Sequence, residues 1–290
     1  MTYNQGVGLP LPIYEEQVKS ILSPTSGFIA QAGFTHSLNP ARNCTYGCTY
    51  CYVPTMRVHG GLRQREWERW GQFTTFKSNA PALLAKALRP AQVIYCSPLV
   101  DPYQPAEAAR RMMPELFAAL IRKPPAVITI QTRSPLVIRD LELLKELAGK
   151  TRVRVSFSLT TDMDEVRRIY EPHCESLEER LQAVAALRNG GIKTFATLAP
   201  ILPCNPERLA RLALEATEND VLGDPFHERS NKPAGAVTRP QAEAISRKHG
   251  YEEWHEPGFQ ARIAGRMAAV VRESGRKFAI GPEAFSWLAQ

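Results

Sequence analysis

The chain has 290 residues, 44% hydrophobic and 22% charged, which allows a sizeable core and argues against disorder. No apolar run reaches the roughly 20 residues of a membrane span. The start, MTYNQGVGLPLPIYEEQ, lacks the basic-then-apolar pattern of a secretory signal, so a cytoplasmic location with no membrane partner is expected.

In chain order, GFTHSL (33–38) reads as a strand leading into NCTYGCTYCYVP (43–54), which gathers Cys44, Cys48 and Cys51 at C-x3-C-x2-C spacing. RVHGGLRQREWERW (57–70) mixes four arginines with Trp67 and Trp70. It reads equally as a phosphate-seeking, base-stacking surface or as an amphipathic helix with its tryptophans turned inward. A helix is expected over 79–88, then a buried strand QVIYCS (92–97) behind the Arg89-Pro90 breaker, and a second strand AVITIQT (126–132) after Pro124-Pro125. LVIRDLELLKELAG (136–149) has Leu141, Leu144 and Leu147 at helical spacing and Gly149 as a C-cap. RVRVSFSLT (152–160) and KTFATLAPI (193–201) read as further strands. Between them SLEERLQAVAALRNGG (176–191) opens with the capping-box pair Ser176 and Glu179. NDVLGD (219–224) is a shorter strand candidate. Residues 224–259 are polar and rich in Pro, Gly, Arg and His, and a helix resumes over 260–274.

This alternation of strand and helix predicts an α/β fold with a mainly parallel sheet and helices outside it. Functional groups in such folds collect at the C-terminal ends of the strands. Cys96, Ser97 and Asp101 follow one strand, Thr132, Arg133 and Ser134 another, Ser156 and Ser158 share a face of a third, and Pro200 ends a fourth. With the cysteine loop they are expected to line one mouth.

Three clustered thiols invite a metal. Structural zinc wants four ligands, commonly as two pairs, and only one triple is present, with His59 the nearest companion. A disulfide is disfavoured by the reducing compartment and the odd number. A [4Fe–4S] cluster held by three cysteines leaves one iron open to a ligand. Cys174 and Cys204 stand alone at no ligand spacing and read as core residues.

The C-x3-C-x2-C motif, with aromatic Tyr50 before its last cysteine, resembles the signature of the radical S-adenosylmethionine superfamily. The strings HSLNPARNCTYGCTYCY, SPLVDPYQPAE, TIQTRSPLVIRDLELLKEL, SFSLTT, YEPHCESLEERLQAVAALRNGGIK and LAPILP resemble the spore photoproduct lyase family, over about residues 34 to 215. The resemblance implies a partial (βα)6 TIM-like barrel with a C-terminal helical extension. It divides the chain into an N-terminal extension (1–32), the barrel with its [4Fe–4S] loop (33–223) and a C-terminal extension or lid (224–290). It also implies one cluster on Cys44, Cys48 and Cys51, with S-adenosylmethionine chelated at the open iron. Reductive cleavage there yields a 5′-deoxyadenosyl radical that abstracts hydrogen from substrate, the electron coming from a partner such as flavodoxin or ferredoxin. By position, Tyr50 and Tyr52 flank the adenine, and Ser97, Ser156, Ser158 and Pro200 contact the cofactor. Arg133, where the family usually has lysine, meets its carboxylate. That change keeps the charge but alters the geometry.

Cys96 lies about where these lyases carry a hydrogen-atom donor, and burial of a free cysteine predicts the same residue. Tyr103 is a relay candidate with an equal packing alternative. Two kinds of substrate stay open: nucleic acid or a nucleotide, as the basic charge allows, and a small nucleoside- or sugar-derived metabolite, as the divergent C-terminal third allows. A cluster-bearing protein without catalysis is a weaker third reading, because an open iron implies a ligand to activate.

Overall fold

The computed structural model describes residues 11–56, 64–230, 232 and 235–290. Its strands are β1 (Ile13–Glu16), β2 (Leu22–Pro24), β3 (His36–Leu38), β4 (Ala41–Arg42), β5 (Thr74–Lys77), β6 (Val93–Cys96), β7 (Val127–Thr132), β8 (Arg152–Ser158), β9 (Thr194–Leu198), β10 (Val221–Gly223) and β11 (Phe278–Ile280). The main sheet runs β11-β10-β9-β8-β7-β6-β3-β2. All its pairs are parallel except β2 with β3. The sheet ends at β2 and β11 without closing, so the expected partial barrel is what forms, its six βα strands being β3 and β6 to β10.

Parallel strands covered on both faces carry nearly continuous apolar runs. The Val127–Thr132 strand is buried at all but one position, and Thr194–Leu198 at every one. In β8 the period-two alternation survives only in the first half, before the strand enters the core. The capping box forms as expected: Ser176 Oγ accepts from the Glu179 N–H, and Glu179 bonds back to the Ser176 N–H. Residues 136–149 do not form one helix. Pro135–Asp140 is a 3-10 turn capped by Ser134, and the α-helix runs only over Leu141–Ala148, capped by Gly149.

Two features lie outside the sequence reading. A side sheet β1-β5-β4 flanks the cysteine loop, and both flanking segments lend a strand to the main sheet, β2 at one edge and β11 at the other. The helix Pro257–Glu273 packs on Pro206–Thr217, where Arg266 clamps Glu207 through two bonds of 2.7 Å. Among the described residues no helix is long and apolar enough to cross a membrane.

Candidate cluster and cofactor site

The cysteine loop leaves β4 and is held from three sides. Asn43, at positive φ, accepts from the N–H groups of Cys44 (2.8 Å) and Gly71 (2.9 Å) through its side-chain oxygen. Gln104 Oε1 accepts from the Thr45 N–H (2.8 Å), and the Tyr170 carbonyl accepts from the Thr49 N–H (3.0 Å). Gly47 and Gly71, both at positive φ, cross backbone to backbone, and a Cβ on Gly71 would stand 2.7 Å from the Gly47 Cα. Only glycine tolerates both that conformation and that contact.

Below the loop lies a buried charge network. The Glu171 carboxylate, 0% exposed, accepts from Arg133 Nη1 (2.6 Å), Arg180 Nη2 (2.6 Å), Thr160 Oγ1 (2.8 Å) and the Tyr50 hydroxyl. Burial alone would push this carboxyl up, but Arg180 and Arg133 override it and hold it at about 2. Arg133 Nη1 also donates to the Tyr50 hydroxyl, and the guanidinium sits 5.7 Å from the Tyr50 ring centre. The backbone at Arg133 is fixed by Asp101, which accepts from the Arg133 N–H (2.8 Å), Thr132 Oγ1 (2.7 Å) and the Tyr103 N–H (2.9 Å). The DPYQP segment thus ties the end of β7 through Asp101 and the cysteine loop through Gln104.

The three thiols differ. A hydrogen bond with Cys174 draws Cys48 toward the thiolate against the effect of burial, and Arg133 adds to it. Burial pushes Cys44 up, with Asp101 and Cys48 adding, and pushes Cys51 up to about 12. Cys174 is buried in the core, as read from sequence, and there it neighbours the loop's Cys48. Among the described residues no three Cys, His, Asp or Glu side chains gather as ligands of a single metal ion. Cys44, Cys48 and Cys51 are free thiols on one short loop, the donor set of a cluster that puts each thiolate on a different iron.

The remaining predicted residues spread around this core. Cys96 is 1% exposed at the end of β6, in register with Leu38 and Ile130. Burial pushes its thiol up, so it keeps its proton. Ser97 Oγ donates to Asn39 Oδ1 (2.7 Å), and Ser156 Oγ bonds Thr197 Oγ1 (2.5 Å) across β8 and β9. Ser158 is buried, and Pro200 follows a cis peptide bond. Tyr52 is 40% exposed, its hydroxyl donating to the Pro98 carbonyl. Tyr103 is wholly buried, with the Arg139 guanidinium 5.9 Å from its ring centre. Trp70 is buried, as the inward-facing alternative expects, while residues 57–63 lie outside the described residues. The C-terminal segment reaches the loop through Val237, bonded both ways to Thr55 Oγ1 (3.1 and 3.2 Å), and through the Arg239 N–H on the Tyr50 carbonyl (3.4 Å).

A family model described as the Radical SAM superfamily matches residues 38–215. The chain belongs to the radical SAM superfamily. An uncharacterized protein of Methanocaldococcus jannaschii is 27% identical over 193 residues, covering 67% of this chain and 69% of that one. An uncharacterized protein of Mycobacterium tuberculosis is 29% identical over 198 residues but is covered over only 57% of its length, so the chain spans little more than half of that relative. Among solved structures, a spore photoproduct lyase mutant matches with a TM-score of 0.54 at 17% identity, over 85% of this chain and 80% of that one. Another, with bound AdoMet and dinucleoside spore photoproduct, matches with 0.54 at 16% over the same shares. The likeness establishes a shared fold.

The protein is thus a radical SAM enzyme, and the family implies a [4Fe–4S] cluster and S-adenosylmethionine. Sequence reasoning gave Asp101 only a place at the mouth and Cys174 only one in the core, and passed over Gln104, Glu171 and Arg180. All five sit in strings already quoted as family-like, but their roles depend on partners distant in sequence.

Proposed function

We propose that this radical SAM enzyme holds one [4Fe–4S] cluster on Cys44, Cys48 and Cys51, binds S-adenosylmethionine across the strand ends, and acts on a nucleic-acid or nucleotide-type substrate in a spore photoproduct lyase-like reaction. When bound, the cluster and cofactor supply a 5′-deoxyadenosyl radical, using an electron from a flavodoxin- or ferredoxin-type protein. The observation that carries the cofactor assignment is the Arg133 side chain beside the loop. Its Nη1 is spent on Glu171 and Tyr50, whereas Nε and Nη2 have no partner among the described residues. Two parallel N–H donors are what a carboxylate accepts best, and the cofactor carries one.

The Tyr50 ring is anchored through its hydroxyl and, with the more exposed Tyr52, provides surface for the adenine. The bound hydroxyls of Ser97 and Ser156 retain lone pairs as acceptors, and Ser158 and Pro200 complete the cofactor contacts. Cys96 donates a hydrogen atom to the product radical, a role its retained proton permits. Tyr103, enclosed under Arg139, serves packing. The substrate class is supported by the net charge of +7 and by the shared fold with a spore photoproduct lyase that was solved in complex with dinucleoside spore photoproduct.

The test is anaerobic reconstitution, reduction and assay for 5′-deoxyadenosine. Its formation, stimulated by thymine-containing dinucleotides or oligonucleotides, is expected. No 5′-deoxyadenosine would refute the radical reading. Stimulation only by small nucleoside- or sugar-derived metabolites would refute the nucleic-acid reading in favour of a tailoring enzyme. Cys96→Ala is expected to preserve cofactor cleavage and divert the product.

A further inference from the structure

A cavity of about 280 Å³ lies between the N-terminal segment and the cysteine loop, walled by residues from 18–23, 39–43 and 99–100 with Val53, Trp70 and Lys77. We propose that this cavity is a binding site for a phosphate group of the substrate.

Its lining is rich in donors and holds no carboxylate among the described residues. Lys19, Arg42 and Lys77 bring three cations to it. The acid whose charge reaches Lys77 is Glu16, and Glu16 is already bound to Arg42 at 2.8 Å. Glu16 therefore reaches both Arg42 and Lys77, while Lys19, also on the lining, is exposed. No carboxylate lies within ion-pairing distance of Lys77 among the described residues, and burial beside Arg42 draws its ammonium down to about 8.

Two further groups point the same way. Trp70 is 6% exposed, and its indole N–H is buried with no hydrogen-bond partner among the described residues. A buried donor left unpaired is costly, and an arriving oxyanion would satisfy it. Asn39 spends its side-chain oxygen on Ser97 Oγ and the Leu99 N–H, leaving its amide nitrogen as donor. A desolvated Lys77, an indole N–H and an amide N–H, with no carboxylate on the lining itself, suit a tetrahedral oxyanion.

The cavity falls just below the roughly 300–1,000 Å³ of whole small-molecule sites, so it suits a phosphate with part of its sugar. Val53 follows the cysteine loop, and Leu99 and Val100 follow Cys96. A phosphate seated here would hold the rest of a substrate beside both. For the identity of that substrate the inference rests on the nucleotide-type reading above, but phosphate binding itself needs no radical chemistry.

The experiment is therefore run on the full chain without cluster, in phosphate-free buffer, by isothermal titration and Trp fluorescence. The probes are inorganic phosphate, thymidine monophosphate, the phosphodiester thymidylyl-thymidine and the neutral ester trimethyl phosphate. Saturable binding of inorganic phosphate and of at least one nucleotide is expected, with none of the neutral ester. Monophosphate binding alone would identify free nucleotides as the source, and diester binding would identify nucleic acid. Lys77→Met should weaken binding at least tenfold, Lys77→Arg should largely restore it, and Trp70→Phe should weaken it severalfold with the melting curve retained. No saturable phosphate binding, or equal binding by wild type and Lys77→Met, would overturn the proposal. Phosphate binding in a protein that forms no 5′-deoxyadenosine when loaded would sink the radical reading and leave this site standing.

Discussion

Glu171→Gln removes the negative centre of the Arg133–Glu171–Arg180 line while keeping its shape. Two independent routes set the cost. Lowering a carboxyl from 4.5 to about 2 on folding corresponds to about 3 kcal/mol of stability at neutral pH, at roughly 1.4 kcal/mol per unit. Breaking a buried ion pair by removing one partner costs about 3–5 kcal/mol, because the other charge stays buried and unpaired. We expect urea unfolding of the cluster-free protein at pH 7, followed by circular dichroism, to show Glu171→Gln destabilised by about 3 kcal/mol. The sign with pH follows from the depressed value. The carboxylate's contribution is full above 4.5 and lost as pH falls toward 2, where the wild-type side chain also becomes neutral, so the gap must close across that window. Adding Arg180→Met should recover part of the loss by removing the stranded cation. A variant within about 0.5 kcal/mol of wild type at pH 7, or a gap unchanged down to pH 2, would refute this account of the network.

Gly71→Ala places a Cβ 2.7 Å from the Gly47 backbone at a φ of +89°, a strain of about 1–3 kcal/mol before the contact is counted; iron incorporated per chain should fall sharply, and full incorporation would contradict the crossing-backbone argument. Alanine at Cys44, Cys48 or Cys51 should each abolish the iron–sulfur absorption and EPR signal, whereas Cys204→Ala should leave both intact. Lys77→Met should raise stability by about 3 kcal/mol at pH 7 by removing a desolvated ammonium, at roughly 1.4 kcal/mol per unit. That gain should be constant below pH 8 and vanish as pH rises toward 10.5, where the lysine becomes neutral in the unfolded chain as well. A gain that survives at pH 10.5 would mean packing, not charge, is its source.

Legibility in the sequence tracked the range of the interaction. The six βα strands, the capping box at Ser176 and the Gly149 cap are written in neighbouring residues, so periodicity and turn chemistry reveal them. The cysteine triple and Tyr50 are equally local. The side sheet was missed because β1 and β4 are short and partly exposed, and β11 because three residues carry no period. Glu171 joins Arg133 across 38 positions and Tyr50 across 121, and nothing local distinguishes it from a solvated acid. Arg180 did carry a signal: it shares the buried face of its helix with Ala183, Val184 and Leu187, the i, i+3, i+4, i+7 pattern of a core stripe. A charge on such a stripe implies a buried partner, and that deduction would have led to a carboxylate.

The same charge arithmetic occurs twice around the cysteine loop. On the barrel side Glu171 is shared by Arg133 and Arg180, and on the side-sheet face Glu16 is left to Arg42 and Lys77. In each, two cations lean on one shared carboxylate, so each can take a further anion from outside: the carboxylate of S-adenosylmethionine at Arg133, and a substrate phosphate at Lys77. On that reading the loop that carries the cysteines also separates the two anion seats. Arg133→Met and Lys77→Met should then be selective, the first weakening S-adenosylmethionine binding with phosphate affinity retained, the second the reverse. Loss of both affinities in either variant would show one connected site and refute the separation.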